Sequence, residues 1–161
     1  MDRRLVILAG FSAVLAVIVV VVLVARGGDD DSSSSLTDIS AKPAVEVPEG
    51  DPPAELVTED LVTGEGAEAQ AGDRVSVQYV GVLFETGEEF DSSWDSGQPF
   101  QFQIGGGEVI PGWDQGVAGM RIGGRRQLVI PPDLAYGPPG RPPTIGPNAT
   151  LVFIVDLVSV E

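Results

Sequence analysis

Apolar and polar positions divide the chain into three textures. From Leu5 to Ala25 every residue is apolar or small, and no polar face interrupts the run. As a helix, about 21 residues at ~1.5 Å each reach ~31 Å, close to the ~30 Å hydrocarbon core of a bilayer. Secretory h-regions are shorter, roughly 7–15 residues. Leu23, two places before Ala25, also spoils a small-x-small cleavage site. Residues 1–26 therefore read as an uncleaved membrane anchor, in preference to a cleaved signal peptide that would leave a secreted domain. Arg3 and Arg4 precede the run, whereas Arg26 is followed by Asp29, Asp30 and Asp31. That basic bias predicts a cytoplasmic N-terminus and an extracytoplasmic remainder.

The second texture, residues 27–54, is dense in Gly, Ser, Asp, Pro and Glu, with a serine run from Ser32 to Ser35. Such a segment buries too little apolar surface to offset its ordering entropy and predicts a disordered spacer. The aspartate triplet could bind calcium weakly. No EF-hand spacing follows it, so a solvated charge run is the better reading.

From Glu55 to Glu161 short β-like runs appear. Val75, Val77, Tyr79, Gly81 and Leu83 alternate with Ser76 and Gln78 in the first half of one strand. Phe100, Phe102 and Ile104 alternate with Gln101 and Gln103 in another. Gln127 to Ile130 and Leu151 to Val160 supply two more. Pro111 to Val117 is the one plausible helix, with Pro111 suited to a first turn and Gly119 to a stop. Leu134 to Pro147 is a long loop rich in Pro and Gly. The pattern predicts an α+β domain over 55–161, an antiparallel sheet with one short helix packed on it.

Composition narrows the chemistry. The 161 residues carry a formal net charge of −15, which disfavours nucleic acid as a partner. There is no cysteine, which excludes disulfides, thiolate metal sites and thiol catalysis. There is no histidine, which removes the usual general base and the common zinc sites. No metal or cofactor is expected. Gly105-Gly106-Gly107 lacks the Lys-Ser/Thr of a phosphate loop and reads as a turn after a strand. Asn148-Ala149-Thr150 matches a glycosylation sequon, a pattern common by chance. The aromatic residues Tyr79, Phe90, Phe100, Trp113, Tyr136 and Phe153 come from different predicted elements. Taken singly, each reads as an ordinary core residue. Two buried tyrosines would need two hydrogen-bond partners, and Asp91, beside Phe90, could serve Tyr79.

Six segments together carry more. Gln78-Tyr79-Val80-Gly81, Phe90-Asp91-Ser92-Ser93, Glu108-Val109-Ile110-Pro111-Gly112-Trp113, Gly116-Val117-Ala118-Gly119-Met120, Pro132-Asp133-Leu134-Ala135-Tyr136-Gly137 and Ala149-Thr150-Leu151-Val152-Phe153 stand in order and without large gaps. In sequence and spacing they resemble the signature segments of FKBP-type peptidyl-prolyl cis-trans isomerases. The resemblance runs from about Leu56 to Glu161. It implies a half-open, strongly twisted antiparallel sheet wrapped around one short helix. It further implies a pocket with Trp113 as floor and Tyr79, Phe90, Phe100, Val109, Ile110 and Phe153 as walls. Tyr136 and the Ile110 backbone N–H would donate to bound ligand. Asp91 would sit at the rim, held by Tyr79. Arg141 and Ile145 fall in the substrate-binding set. Trp94, Ser96, Arg141 and Thr144 depart from the commonest family residues around the rim, which bears on substrate preference and inhibitor affinity.

The implied reaction suits these residues. Rotation about an Xaa-Pro bond crosses a barrier of ~18–20 kcal/mol because amide resonance is lost. No covalent bond is made or broken, so neither nucleophile nor cofactor is needed. Proline-containing polypeptides are the expected substrates and macrolides of the family the expected inhibitors, acting on a monomer. A binding module that holds proline segments without turnover, or a folding helper using the same pocket, is the alternative. Fold alone does not decide between them.

Overall fold

The structure, a computed structural model, describes residues 36–161. The expected anchor from Leu5 to Ala25 lies outside the described residues. Among those described, no helix is long and apolar enough to cross a membrane.

Six strands form one antiparallel sheet: β1 (Val57–Val62), β2 (Arg74–Leu83), β3 (Glu89–Ser92), β4 (Phe100–Gln103), β5 (Arg125–Ile130) and β6 (Leu151–Val160). The order is β1-β5-β6-β2-β3, with β4 also paired to β2. β3 and β4 divide one edge of β2 between them, β4 along Arg74–Val77 and β3 along Val80–Val82. The helix packed on the sheet, α1 (Pro111–Gly116), starts at a proline whose missing N–H costs nothing in a first turn. The long strands and the helix match the sequence expectations. β1 and β3 do not appear there, because Val57–Val62 is an irregular, largely exposed edge strand and Glu89–Ser92 spans only four residues.

One sheet face packs on α1. Val75, Val77, Phe102, Leu128, Ile130, Leu151, Phe153 and Val155 form the core there with Trp113 and Val117. The helix approaches β5 closely because two of its residues lack a side chain. A Cβ on Gly112 would lie 2.5 Å from Ile130 Cγ2, and one on Gly116 2.8 Å from Leu128 Cδ2. The turn expected at Gly105–Gly107 is present, with φ of 77° at Gly105 and 71° at Gly107.

The opposite face is also covered, by part of the segment expected as a disordered spacer over 27–54; its residues 27–35 lie outside the described residues. From Leu36 onward that segment lies on the sheet as a strap. Val45 and Val47 pack on Val82, Val129 and Val152. Arg125 is completely buried and pairs with Asp156 on the neighbouring strand at 2.6 and 2.7 Å. Its guanidinium also donates to the carbonyls of Leu36 and Ala41, at 3.1 and 3.0 Å. Lys42 bridges Glu89 at 2.8 Å and Asp95 at 3.0 Å. Composition misjudged the strap because a few valines and two backbone carbonyls suffice once the sheet supplies the partner surface. The covered face also explains why Leu151–Leu157 breaks apolar alternation: its residues are buried on both sides.

Candidate active site

A cavity of about 510 Å³ opens between α1 and the sheet. Its floor is Trp113, buried at 4% exposure on the inward side of α1. The indole meets three rings edge-on: Tyr79 at 4.9 Å, Phe153 at 5.3 Å and Phe100 at 6.1 Å between centroids. Phe90 from β3 meets Phe153 from β6 edge-on at 5.5 Å. Such T-shaped contacts favour a fixed set of walls over a fluid one. Gly81 makes room for them: a Cβ there would lie 2.6 Å from Phe153 Cε1 and 2.7 Å from Phe90 Cζ. The register Gly81↔Phe153 sets that contact.

Every sequence-predicted site residue comes to this cavity. Tyr79, Phe90, Asp91, Phe100, Val109, Ile110, Trp113, Tyr136, Arg141, Ile145 and Phe153 all line it. Thr144 and Glu108 join them. The sequence reading did not single out Glu108 as a site residue, although it opens the matched segment ending at Trp113; its carboxylate accepts the Gln103 N–H at 2.9 Å. Of the rim departures, Arg141 and Thr144 line the cavity, whereas Trp94 and Ser96 do not. Ser96 instead turns its hydroxyl onto the Ser93 carbonyl at 2.8 Å within its own loop.

The polar groups have definite partners. The Tyr79 hydroxyl donates to Asp91 Oδ2 at 2.7 Å, and the Ser92 N–H donates to Asp91 Oδ1 at 2.9 Å. The carboxylate is therefore held even though Ser96 stands where a basic residue is frequent. Burial, then the bond to Asp91, pushes the Tyr79 phenol well above its ordinary value, so it stays a proton donor. The Arg141 guanidinium sits 5.7 Å from the Tyr136 ring centroid and donates to the Tyr136 hydroxyl at 3.3 Å. Among the described residues the Tyr136 hydroxyl proton and the Ile110 N–H have no acceptor. Both are thus free to donate to a ligand. Among the described residues there is no cluster of acidic side chains that could hold a metal.

This arrangement can grip an apolar ring, exclude water and offer two hydrogen bonds. It holds no nucleophile or base poised for covalent chemistry. Comparison with known proteins agrees. Residues 65–158 match the model of the FKBP-type peptidyl-prolyl cis-trans isomerase family. An FK506-binding protein of Streptomyces anulatus is 58% identical over 120 residues, covering 74% of this chain and 97% of that protein. The peptidyl-prolyl cis-trans isomerase FPR2 of Saccharomyces cerevisiae is 55% identical over 93 residues, 58% of this chain and 69% of that one. The crystal structure of FkpA from Escherichia coli superposes with a TM-score of 0.60 at 44% identity, over 66% of this chain and 48% of that one. Sequence, sheet topology and pocket thus converge, and the chain belongs to the FKBP-type peptidyl-prolyl cis-trans isomerase family.

Proposed function

We propose that the protein accelerates cis-trans rotation of Xaa-Pro bonds by binding the twisted amide in the Trp113 pocket. The observation that carries this reading is the convergence of Tyr79, Phe90 and Phe100 on Trp113 and Phe153 beside two unengaged donors. Twisting the amide reduces its charge separation. A dry aromatic cavity therefore favours the transition state over the planar ground state. The Tyr136 hydroxyl and the Ile110 N–H hold substrate carbonyls, which is positioning and not acid-base work. Asp91 orients Tyr79 at the rim. Proline-bearing polypeptides are the substrates, macrolides of the family can occupy the same cavity, and one chain suffices, since one chain supplies every wall.

The test is the exchange rate of a proline peptide with the full chain at sub-stoichiometric amounts. An enzyme accelerates exchange many times per molecule. Binding without acceleration would instead favour a module that only holds proline segments. Trp113→Leu is the control, and it should abolish most of the acceleration.

The apolar run and the arginines before it support a second element of the reading: the domain works at the extracytoplasmic face of a membrane. Only Gly27 to Ser35 separate Arg26 from the docked strap. Covalent geometry limits that link to roughly 30 Å at ~3.3–3.6 Å per residue. The isomerase would thus act on chains emerging close to the bilayer, where Xaa-Pro bonds have not yet equilibrated. A C-terminal reporter that is active only in the cytoplasm should stay silent; activity would refute this placement.

A further inference from the structure

Lys42, Arg121, Arg125 and Arg126 each face a carboxylate within 4 Å. Among the described residues Arg74 and Arg141 do not, although the chain carries a net charge of −15. Of these two, Arg141 lines the aromatic cavity, the one cationic side chain among the described residues to do so. Its backbone is fixed by reciprocal hydrogen bonds with Ile145, at 2.8 and 2.9 Å, and Ile145 is itself buried. Its guanidinium lies over Tyr136 and spends one N–H on the Tyr136 hydroxyl. Of the five N–H donors of a guanidinium, the others remain for a ligand.

We propose that Arg141 determines specificity by selecting proline segments that carry a carboxylate side chain close to the proline. The inference rests on the isomerase reading of the cavity. A substrate carbonyl received by Tyr136 places its neighbouring residues beside the guanidinium, because Arg141 Nη1 is 3.3 Å from the hydroxyl. An aspartate or glutamate there gains a charge-assisted hydrogen bond. Asp91 and Glu108 line the same cavity and repel an acid placed toward them. The preference must therefore depend on position: one side of the proline favours an acid, and the other does not.

The experiment uses the full chain and peptides with Glu, Gln or Lys at each of the two positions on either side of a proline. The readout is the ratio of kcat/KM for Glu over Gln, which cancels any general loss of activity. At the favoured position the ratio should be about 2–5, as an exposed ion pair allows, and should shrink with added salt. Arg141→Gln should bring it to about 1, Arg141→Lys should keep part of it, and Arg141→Glu should invert it in favour of Lys. Equal ratios in all four proteins would overturn the proposal and leave Arg141 as a brace for Tyr136. If the wild type accelerated no peptide, the isomerase reading itself would fall. The same Glu-over-Gln comparison, read as peptide Kd from tryptophan fluorescence, would then still decide the charge preference.

Discussion

Gly81 shows how one residue can shape a pocket. The rings of Phe90 and Phe153 occupy the space a side chain would need, at 2.7 and 2.6 Å. Gly81→Ala should cost about 1–3 kcal/mol of stability, as overpacking does, and should lower kcat/KM because both walls must shift. An unchanged urea midpoint would show that the rings yield freely. Phe90→Ala removes a wall outright and should reduce kcat/KM on the order of ten-fold, by loss of apolar contact made in the transition state. Asp91→Asn should matter less, since an amide oxygen can still accept from Tyr79. A larger loss for Asn than for Ala would mean that the carboxylate charge drives the reaction. Tyr79 adds a prediction about pH. Its phenol titrates higher when folded than the ordinary value near 10, so folding favours the protonated form. That stabilisation is complete below about pH 10 and is lost as pH rises through the folded value. Unfolding free energy measured against pH should fall in that alkaline range, and Tyr79→Phe should remove the fall.

At the scale of elements, the strap and the helix face opposite sides of the same sheet. The helix side carries the pocket, while the strap side carries a buried ion pair. Burial pushes the Asp156 carboxyl up, against the pull of Arg125. Two strap carbonyls also accept hydrogen bonds from the guanidinium. Arg125→Met would strand a buried carboxylate and should cost about 3–5 kcal/mol, whereas a double change of Arg125→Met and Asp156→Leu should recover most of the loss. Equal destabilisation by the single and double variants, in denaturant unfolding, would show that the pair is not coupled. Lys42 bonds to groups that are far more exposed, and its ion pairs contribute little by comparison.

For the whole molecule, the absence of histidine and cysteine has a kinetic consequence. A pocket that works by desolvation and positioning has no titrating step. The profile of kcat/KM should therefore be flat between roughly pH 6 and 9, given the ordinary pKa values of the side chains present. A bell-shaped profile, or a loss that follows a single carboxylate, would contradict the desolvation mechanism.

Much of this was legible without coordinates. Strand alternation around Val75–Leu83, the proline-led helix at Trp113 and the six ordered segments are local patterns, and local geometry enforces them. The missing residue types excluded most covalent chemistry by composition alone. Three features required the tertiary structure. Convergence of Tyr79, Phe90, Phe100, Trp113 and Phe153 depends on strand order and register, which join residues far apart in the chain. The position of the Arg141 guanidinium over the Tyr136 ring depends on how its loop folds. The strap reads as disordered because composition counts only what a segment can bury by itself. Its order comes from Val82, Val129, Val152 and Arg125, which lie on the sheet and become its partners only once the sheet has formed.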